Sequence, residues 1–302
     1  MMGSTPSPSQ WPQHQQRGPY CGVSLLLPRS TSEALEALLS EDVVSVVSCE
    51  PRDSGASCAV VTLGQRNVFI KWDSQNDAWT RGAIAREASR LRLVGAHVQS
   101  AHFLAYSPEH HLLVTEALDG PEPQWNDAGA LDADGHVLNQ LAALPFEVTS
   151  KLSSGRYDFD RDRRGDAALS TAVEPRFQSR LYECYEQQRK LVRDTPCHWD
   201  AWSDNWLSHD GTPHLVDFEH LALGPAGWDH CFLITWPDVP TEAKVRWLST
   251  VATFESLRAM IGAITFWTAI NASVAREPGN LEQHCRAALP CSLDLCASLG
   301  IF

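Results

Sequence analysis

Residues 198–205 read His198-Trp199-Asp200-Ala201-Trp202-Ser203-Asp204-Asn205. Twelve positions beyond Asn205, the apolar run Leu215-Val216 ends in Asp217-Phe218-Glu219. A solvated acidic loop would have much the same composition, so the question is what these groups could do together. Asp200, on a loop and two residues after a histidine able to brace the turn, can accept a hydrogen bond from an attacking hydroxyl. Asn205 offers a neutral oxygen and Asp217 a charged one, the hard donors that Mg²⁺ takes alongside the oxygens of a substrate phosphate. Between them, residues 206–216 read as strand, Asp210-Gly211 turn, strand. Such a hairpin brings its two ends side by side and makes Asn205 and Asp217 co-ligands. A positioned carboxylate beside a metal pair is part of the apparatus of phosphoryl transfer, which also needs a device for holding phosphates.

Upstream, the hydrophobic period changes from helix to strand and back. Residues 31–39, "TSEALEALL", have helical spacing with Thr31 or Ser32 as N-cap. The β-branched runs at 43–49, 58–63 and 68–72 predict three strands of a meander, the last two joined by a turn at 64–67. Ile84, Ala88, Leu91 and Val94 recur at helical spacing, which predicts a helix over 79–95 closed by Gly95 as its C′ residue. Two further strands, 102–107 and 111–118, follow. From about 125 the pattern turns helical, at 135–144, at 176–192, and at 242–274 as one or two buried helices. The expected fold class is α+β and bilobal. A β-rich N-terminal lobe with one main helix spans 21–118, a larger α-helical lobe spans 119–302, and the Pro-, Ser- and Gln-rich segment 1–20 is a flexible tail. A cleft between two lobes is a natural ligand site.

Bulk properties narrow the partners. The chain has 302 residues, enough for two lobes. No apolar run is long enough to span a bilayer, and the N-terminus lacks the basic start and apolar core of a signal peptide. A cytoplasmic protein without a membrane partner is expected. The net charge of −13 speaks against nucleic acid and suits a cationic small substrate. Nine scattered cysteines without a C-x-x-C pair are read as free thiols. Lysine occurs only at 71, 151, 190 and 244, which singles out Lys71 at the end of a strand.

Taken together, "HWDAWSDN" and "LVDFE" resemble the aminoglycoside phosphotransferase and choline kinase superfamily, a branch of the protein-kinase-like fold. Its signature, H-x-D-x-x-x-x-N followed by an apolar strand ending in D-x-[DE], is met by His198, Asp200, Asn205, Asp217 and Glu219. The segment 223–231, "LGPAGWDHC", resembles the family's G-x-P-x-x-D stretch, with Asp229 as its buried structural aspartate. The resemblance implies that Lys71 holds the α- and β-phosphates, that Glu87 is its ion-pair partner, and that the backbone of Thr115 and Ala117 forms the adenine hinge. It further implies ATP (or GTP) and Mg²⁺ as cofactors, Asp200 as the catalytic acid-base group, and a small hydroxyl-bearing acceptor.

Two departures stand out. The phosphate-covering loop "DSGAS" (53–57) has one glycine, leaving Ser54, Gly55 and Ser57 as phosphate contacts. Trp199 occupies a place where the family has a small residue, often glycine. Its indole could reshape the catalytic loop or wall the acceptor pocket, and Asp204 and Trp202 are further candidates for acceptor contact. An antibiotic inactivated by O-phosphorylation is the first choice of acceptor, with choline, an amino alcohol or a sugar as the metabolic alternative. A nucleotide-binding pseudokinase and a metal-dependent hydrolase are the rivals from other classes. The intact Lys71, Asp200, Asn205 and Asp217 oppose the first. The poor placement of His110-His111 for a second ligand cluster opposes the other.

Overall fold

The computed structural model describes residues 27–48, 56–120, 128–154, 172–202, 205–235, 241–248, 250, 253–273 and 280–302. Strands β1 (Val43–Ser48), β2 (Ala56–Leu63), β3 (Arg66–Asp73), β4 (Phe103–Ser107) and β5 (Leu112–Glu116) form an antiparallel sheet in the order β1-β2-β3-β5-β4. Side chains alternate between its faces, as strand geometry requires. Ala59, Val61, Val68, Ile70, Leu112 and Val114 turn to the face covered by Ala34 and Leu35 of helix α1 (Arg29–Leu39). Leu113 turns the other way, to Ile84, Ala88 and Leu91 of helix α2 (Ala78–Val94). The same alternation puts Lys71, cross-strand partner of Cys58, on the α2 side.

Two local expectations are corrected. Helix α1 starts before Thr31 and Ser32, at Arg29, with Pro28 as its cap residue. The Pro28 carbonyl already accepts the Thr31 and Ser32 amides at 2.9 and 3.0 Å, so neither hydroxyl residue caps. Helix α2 ends at Gly95, but with φ −59°, a right-handed value, so the glycine is not a left-handed C′ residue. Space explains it better: a Cβ there would lie 2.9 Å from the Leu91 carbonyl oxygen. At its other end α2 is capped by Asp77, whose carboxylate accepts the Thr80 amide at 2.8 Å.

The apolar layer under α2 continues into the second lobe. Ile84 and Leu91 share one core with Leu138 and Leu141 of α3 (Ala128–Ala142), with Trp206 and Leu215 of the hairpin β7 (Trp206–His209) and β8 (Thr212–Leu215), and with Phe218. The larger lobe adds α4 (Phe146–Thr149), α5 (Pro175–Gln188), β6 (Thr195–Cys197), β9 (Ala222–Gly224), α6 (Trp228–Leu233), α7 (Thr241–Leu248), α8 (Phe254–Ser273) and α9 (Asn280–Ser298). Buried Leu181, Met260, Ile264, Phe232 and Cys296 are part of its own core. The stretch read as one or two helices over 242–274 is thus α7 and α8. No helix among the described residues is long and apolar enough to cross a membrane. Cys58, Cys184, Cys197, Cys231, Cys285, Cys291 and Cys296 are free thiols.

The chain passes between lobes immediately after β5. There the Asp119 carboxylate lies 2.7 Å from His209 Nδ1 on β7, and a Cβ on Gly120 would land on the Ser208 carbonyl oxygen. The linker therefore lies directly against the β7–β8 hairpin.

Candidate active site

The site is built on two short ladders of the larger lobe. Asp210 (φ 50°) and Gly211 (φ 74°) occupy the left-handed region in the β7–β8 turn, as a two-residue hairpin of this hand demands. Val216 N donates to Asn205 O at 2.9 Å, extending the pairing one step past Trp206 and Leu215. Asn205 and Asp217 accordingly flank the open end of the hairpin. Strand β6, paired antiparallel with β9, delivers His198 and Asp200 beside it.

His198 is fully buried, with Nε2 3.0 Å from the Val216 carbonyl oxygen and its ring edge-on to Phe218. Burial drives its pKa down to about 4, against Asp217, so the ring is neutral and braces the loop. Asp229, on α6, accepts the His198 amide at 2.6 Å and the Trp199 amide at 2.9 Å from its two oxygens. Burial raises its pKa to about 7, and these two bonds oppose the rise. Asn205 donates through Nδ2 to both the backbone carbonyl (2.7 Å) and the carboxylate (3.0 Å) of Asp200. That turns the amide nitrogen toward Asp200, and the amide oxygen is the atom of Asn205 with metal-ligand chemistry. The Asp200 carboxyl is pushed up to about 6 by burial first, with Asp217 and Glu219 adding and His220 and Asn205 opposing.

From the other lobe, Lys71 Nζ reaches Glu87 Oε2 and Asp217 Oδ1, each at 2.9 Å, with Glu219 Oε2 at 3.8 Å. Burial alone would lower the Lys71 pKa, but Asp217, Glu87 and Glu219 outweigh it and hold the ammonium charged. Burial raises Glu87, against the attraction of Lys71. Asp217 adopts φ 65° at the head of the 3-10 turn Phe218–His220, a left-handed conformation that directs its carboxylate away from the strand it follows.

These groups fit a divalent cation. One ammonium faces three carboxylates, and Glu219 Oε2 is buried without a hydrogen-bond partner. Among the described residues no set of three or more His, Cys, Asp or Glu is arranged to hold a metal by itself. A carboxylate and an amide completed by phosphate oxygens and water match Mg²⁺ usage better than an all-protein cage. Asn205 and Asp217 are the residues that could hold it.

The other sequence candidates are distributed as follows. Ser57 is on β2, its Oγ 2.6 Å from Ser74 Oγ. Thr115 is buried on β5 between Phe69 and Phe103, and the Ala117 amide donates to Asn67 O at 3.4 Å. Ser54, Gly55 and Asp204 lie outside the described residues. Trp202 is half-buried, edge-on to Phe232 and Trp267 at centroid distances of 6.4 and 6.0 Å, and these rings line a crevice with Thr268 and Cys285 that has room for little more than a water molecule. Trp199 requires a correction. It does not wall a cleft: at 2% exposure its indole is packed in the core of the larger lobe, 4.9 Å from Trp228.

One group was missed in the sequence. His220 Nε2 lies 3.2 Å from Glu219 Oε1. Burial lowers its pKa, but Glu219, Asp200 and Asp217 together prevail and raise it. Its position directly after the acid pair was the available signal.

A lysine–glutamate pair on the five-stranded lobe, a braced Asp200–Asn205 loop and an Asp217 that reaches the lysine thus meet in one place. The phosphotransferase enzyme family matches residues 48–259, more than half of the chain, and the chain belongs to that family: it is a small-molecule phosphotransferase. No curated protein matches it in sequence. Among solved structures, spectinomycin phosphotransferase APH(9)-Ia in complex with ADP and spectinomycin superposes with TM-score 0.62 at 13% identity, covering 92% of this chain and 99% of that one. Choline kinase LicA from Streptococcus pneumoniae gives 0.61 at 14% identity, over 89% and 98%. A thermostable mutant of aminoglycoside phosphotransferase APH(4)-Ia, with ADP and hygromycin B, gives 0.58 at 14%, over 89% and 97%. At these identities the likeness is one of fold.

Proposed function

We propose that the protein transfers the γ-phosphate of ATP (or GTP) to a hydroxyl of a small molecule, with an antibiotic as the acceptor and its inactivation as the result. The observation that carries the reaction is the Lys71 ammonium, held 2.9 Å from both Glu87 and Asp217 across the two lobes. Lys71 would bind nucleotide phosphates, kept charged and oriented by Glu87. Mg²⁺, when bound, neutralises phosphate charge, and Asn205 and Asp217 would hold it. Asp200, fixed by Asn205, orients the acceptor hydroxyl and takes its proton late in the transfer. A loose transition state asks for positioning and electrostatics more than for a strong base.

The antibiotic reading is supported by the spectinomycin and hygromycin B complexes of the two similar structures and by the acidic net charge. The same charge suits a cationic small-molecule acceptor rather than nucleic acid, and the reading places the protein in the cytoplasm. A second reading, a metabolic kinase acting on choline, an amino alcohol or a sugar, is supported by the likeness to choline kinase LicA. Phosphate transfer from Mg·ATP across a panel of hydroxyl-bearing antibiotics, with choline added and Asp200→Asn as control, decides between them. Turnover of an antibiotic that the variant abolishes supports the first reading, and turnover of choline alone supports the second. Nucleotide binding with no turnover of any acceptor points to a pseudokinase.

A further inference from the structure

We propose that Trp199 is a positioning residue whose buried indole holds the left-handed turn from which Asp200 is presented; the inference rests on the phosphotransfer reading above. Trp199 has φ 69°, a conformation glycine adopts freely and a bulky residue rarely does. Such a backbone persists only where its surroundings over-determine it.

Here they do so from two directions. On the backbone side, Asp229 accepts the amides of His198 and Trp199. On the side-chain side, the indole occupies a seat that the sequence makes specifically for it. A Cβ on Gly224 would lie 2.9 Å from Trp199 Cζ2 and 2.8 Å from Cys197 Sγ, so β9 can pass only as glycine. Trp228 tilts against the ring at 4.9 Å, and the Arg193 guanidinium stands 5.5 Å from the ring centre. The next residue, Asp200, has its carbonyl and carboxylate both tied to Asn205 Nδ2. A shift at Trp199 therefore reaches the Asp200 carboxylate directly. Glycine at 199 would satisfy φ without strain, yet it would also admit right-handed conformations that turn Asp200 away. The indole removes that freedom by fixing the side chain in the core.

The test uses the full-length Trp199→Gly and Trp199→Phe variants. Turnover is expressed per nucleotide site counted by titration calorimetry, so that a smaller folded fraction does not register. Trp199→Gly is expected to lose on the order of 10²-fold in kcat, the scale of a small misplacement of a reacting group. Its KM for Mg·ATP should change far less than its kcat, because Lys71 lies in the other lobe and Asp217 lies outside the turn. Trp199→Phe, which keeps a ring in the seat, should recover most of the loss. Wild-type kcat in Trp199→Gly, or a loss that Phe leaves unrestored, overturns the proposal. Should Trp199→Gly fail to fold, Gly224→Ala crowds the same seat with Trp199 in place, and a kcat loss of the same order that far exceeds any change in KM is expected. If the wild-type protein transfers no phosphate at all, the functional reading fails separately. Hydrogen exchange of the His198 and residue-199 amides then decides: faster exchange in Trp199→Gly, whose seat has lost the indole, supports the holding role, and unchanged exchange overturns it.

Discussion

Asp217 stands 146 positions after Lys71 in the chain, and its Oδ1 lies 2.9 Å from the Lys71 ammonium. A residue of the sheet lobe and a residue of the hairpin lobe thus share one buried ion pair. Glu87 completes the pair from α2, at 2.9 Å. The arrangement concentrates negative charge where phosphates and a divalent cation would meet, and a single ammonium keeps that charge tolerable.

Removing the ammonium should therefore cost stability as well as activity. In Lys71→Met, Glu87, Asp217 and Glu219 lose the ammonium they share, and breaking a buried pair in this way costs about 3–5 kcal/mol. Burial already raises the Glu87 carboxyl against the attraction of Lys71, and losing that attraction raises it further, so the folded variant holds a proton that its unfolded state has released. Its stability should fall as pH rises. Urea unfolding of both proteins at pH 5 and pH 8 checks this. A gap that fails to widen at pH 8 would count against the charge cluster as described.

Asp200 should impose an acid limb on turnover. Burial raises its carboxyl to about 6, and the acting form is the carboxylate, so kcat/KM should rise through that pH and level off above it. The raised pKa also means that this group favours folding least when ionised, and its contribution declines as pH climbs from its ordinary range through about 6. Asp200→Asn should lose roughly 10²–10⁴ in rate. Above the limb its melting temperature should equal or exceed that of wild type. A pH–rate profile beside thermal unfolding at pH 8 tests both halves, and a variant that melts lower while retaining turnover would contradict them.

Asp229 is expected to matter through the backbone alone. Asp229→Ala leaves the buried His198 and Trp199 amides without their acceptor, at about 1–3 kcal/mol for each orphaned group. The denaturation midpoint should drop, and turnover per folded molecule should fall with it because both amides precede Asp200. Asp229→Asn, which retains one acceptor oxygen, should be intermediate. Equal stability of the alanine and wild-type proteins would show that the two hydrogen bonds do not carry the turn.

Gly120 is expected to tolerate no side chain. A Cβ there would land on the Ser208 carbonyl oxygen, so Gly120→Ala must push the linker off the β7–β8 hairpin and separate Asp119 from His209. Weaker Mg·ATP binding and a lower melting temperature are the expected outcomes, measured by calorimetry and thermal unfolding. Asp119→Asn should break the charge without moving the backbone and have the smaller effect.

Much of the fold could be read from the chain because its signals are local. The β-branched runs and the Gly64 turn predict β2 and β3 within two residues, and Asp210-Gly211 predicts the hairpin that seats Asn205 and Asp217 at one end. The ends of helices were less legible. Thr31 and Ser32 look like caps in sequence, but the Pro28 carbonyl takes their amides first. Gly95 looks like a left-handed stop, but it is glycine because the Leu91 carbonyl leaves no room for a Cβ.

The motif residues have the same standing. Spacing and residue type pick out Asp200, Asn205 and Asp217, and the family resemblance adds Lys71 and Glu87 in their expected order. Their junction, with Asp217 and Glu87 on one ammonium, depends on the core that runs from Ile84 through Trp206 to Phe218 and locks α2 onto the hairpin. Trp199 marks the limit most clearly. From sequence it is an aromatic residue beside Asp200 that could either reshape the loop or wall an acceptor pocket. In the fold its positive φ and the space left by Gly224 send the indole into the core. The sequence by itself determined which groups are present and in what order. The direction each one faces was decided by packing between segments far apart in the chain, which no local pattern encodes.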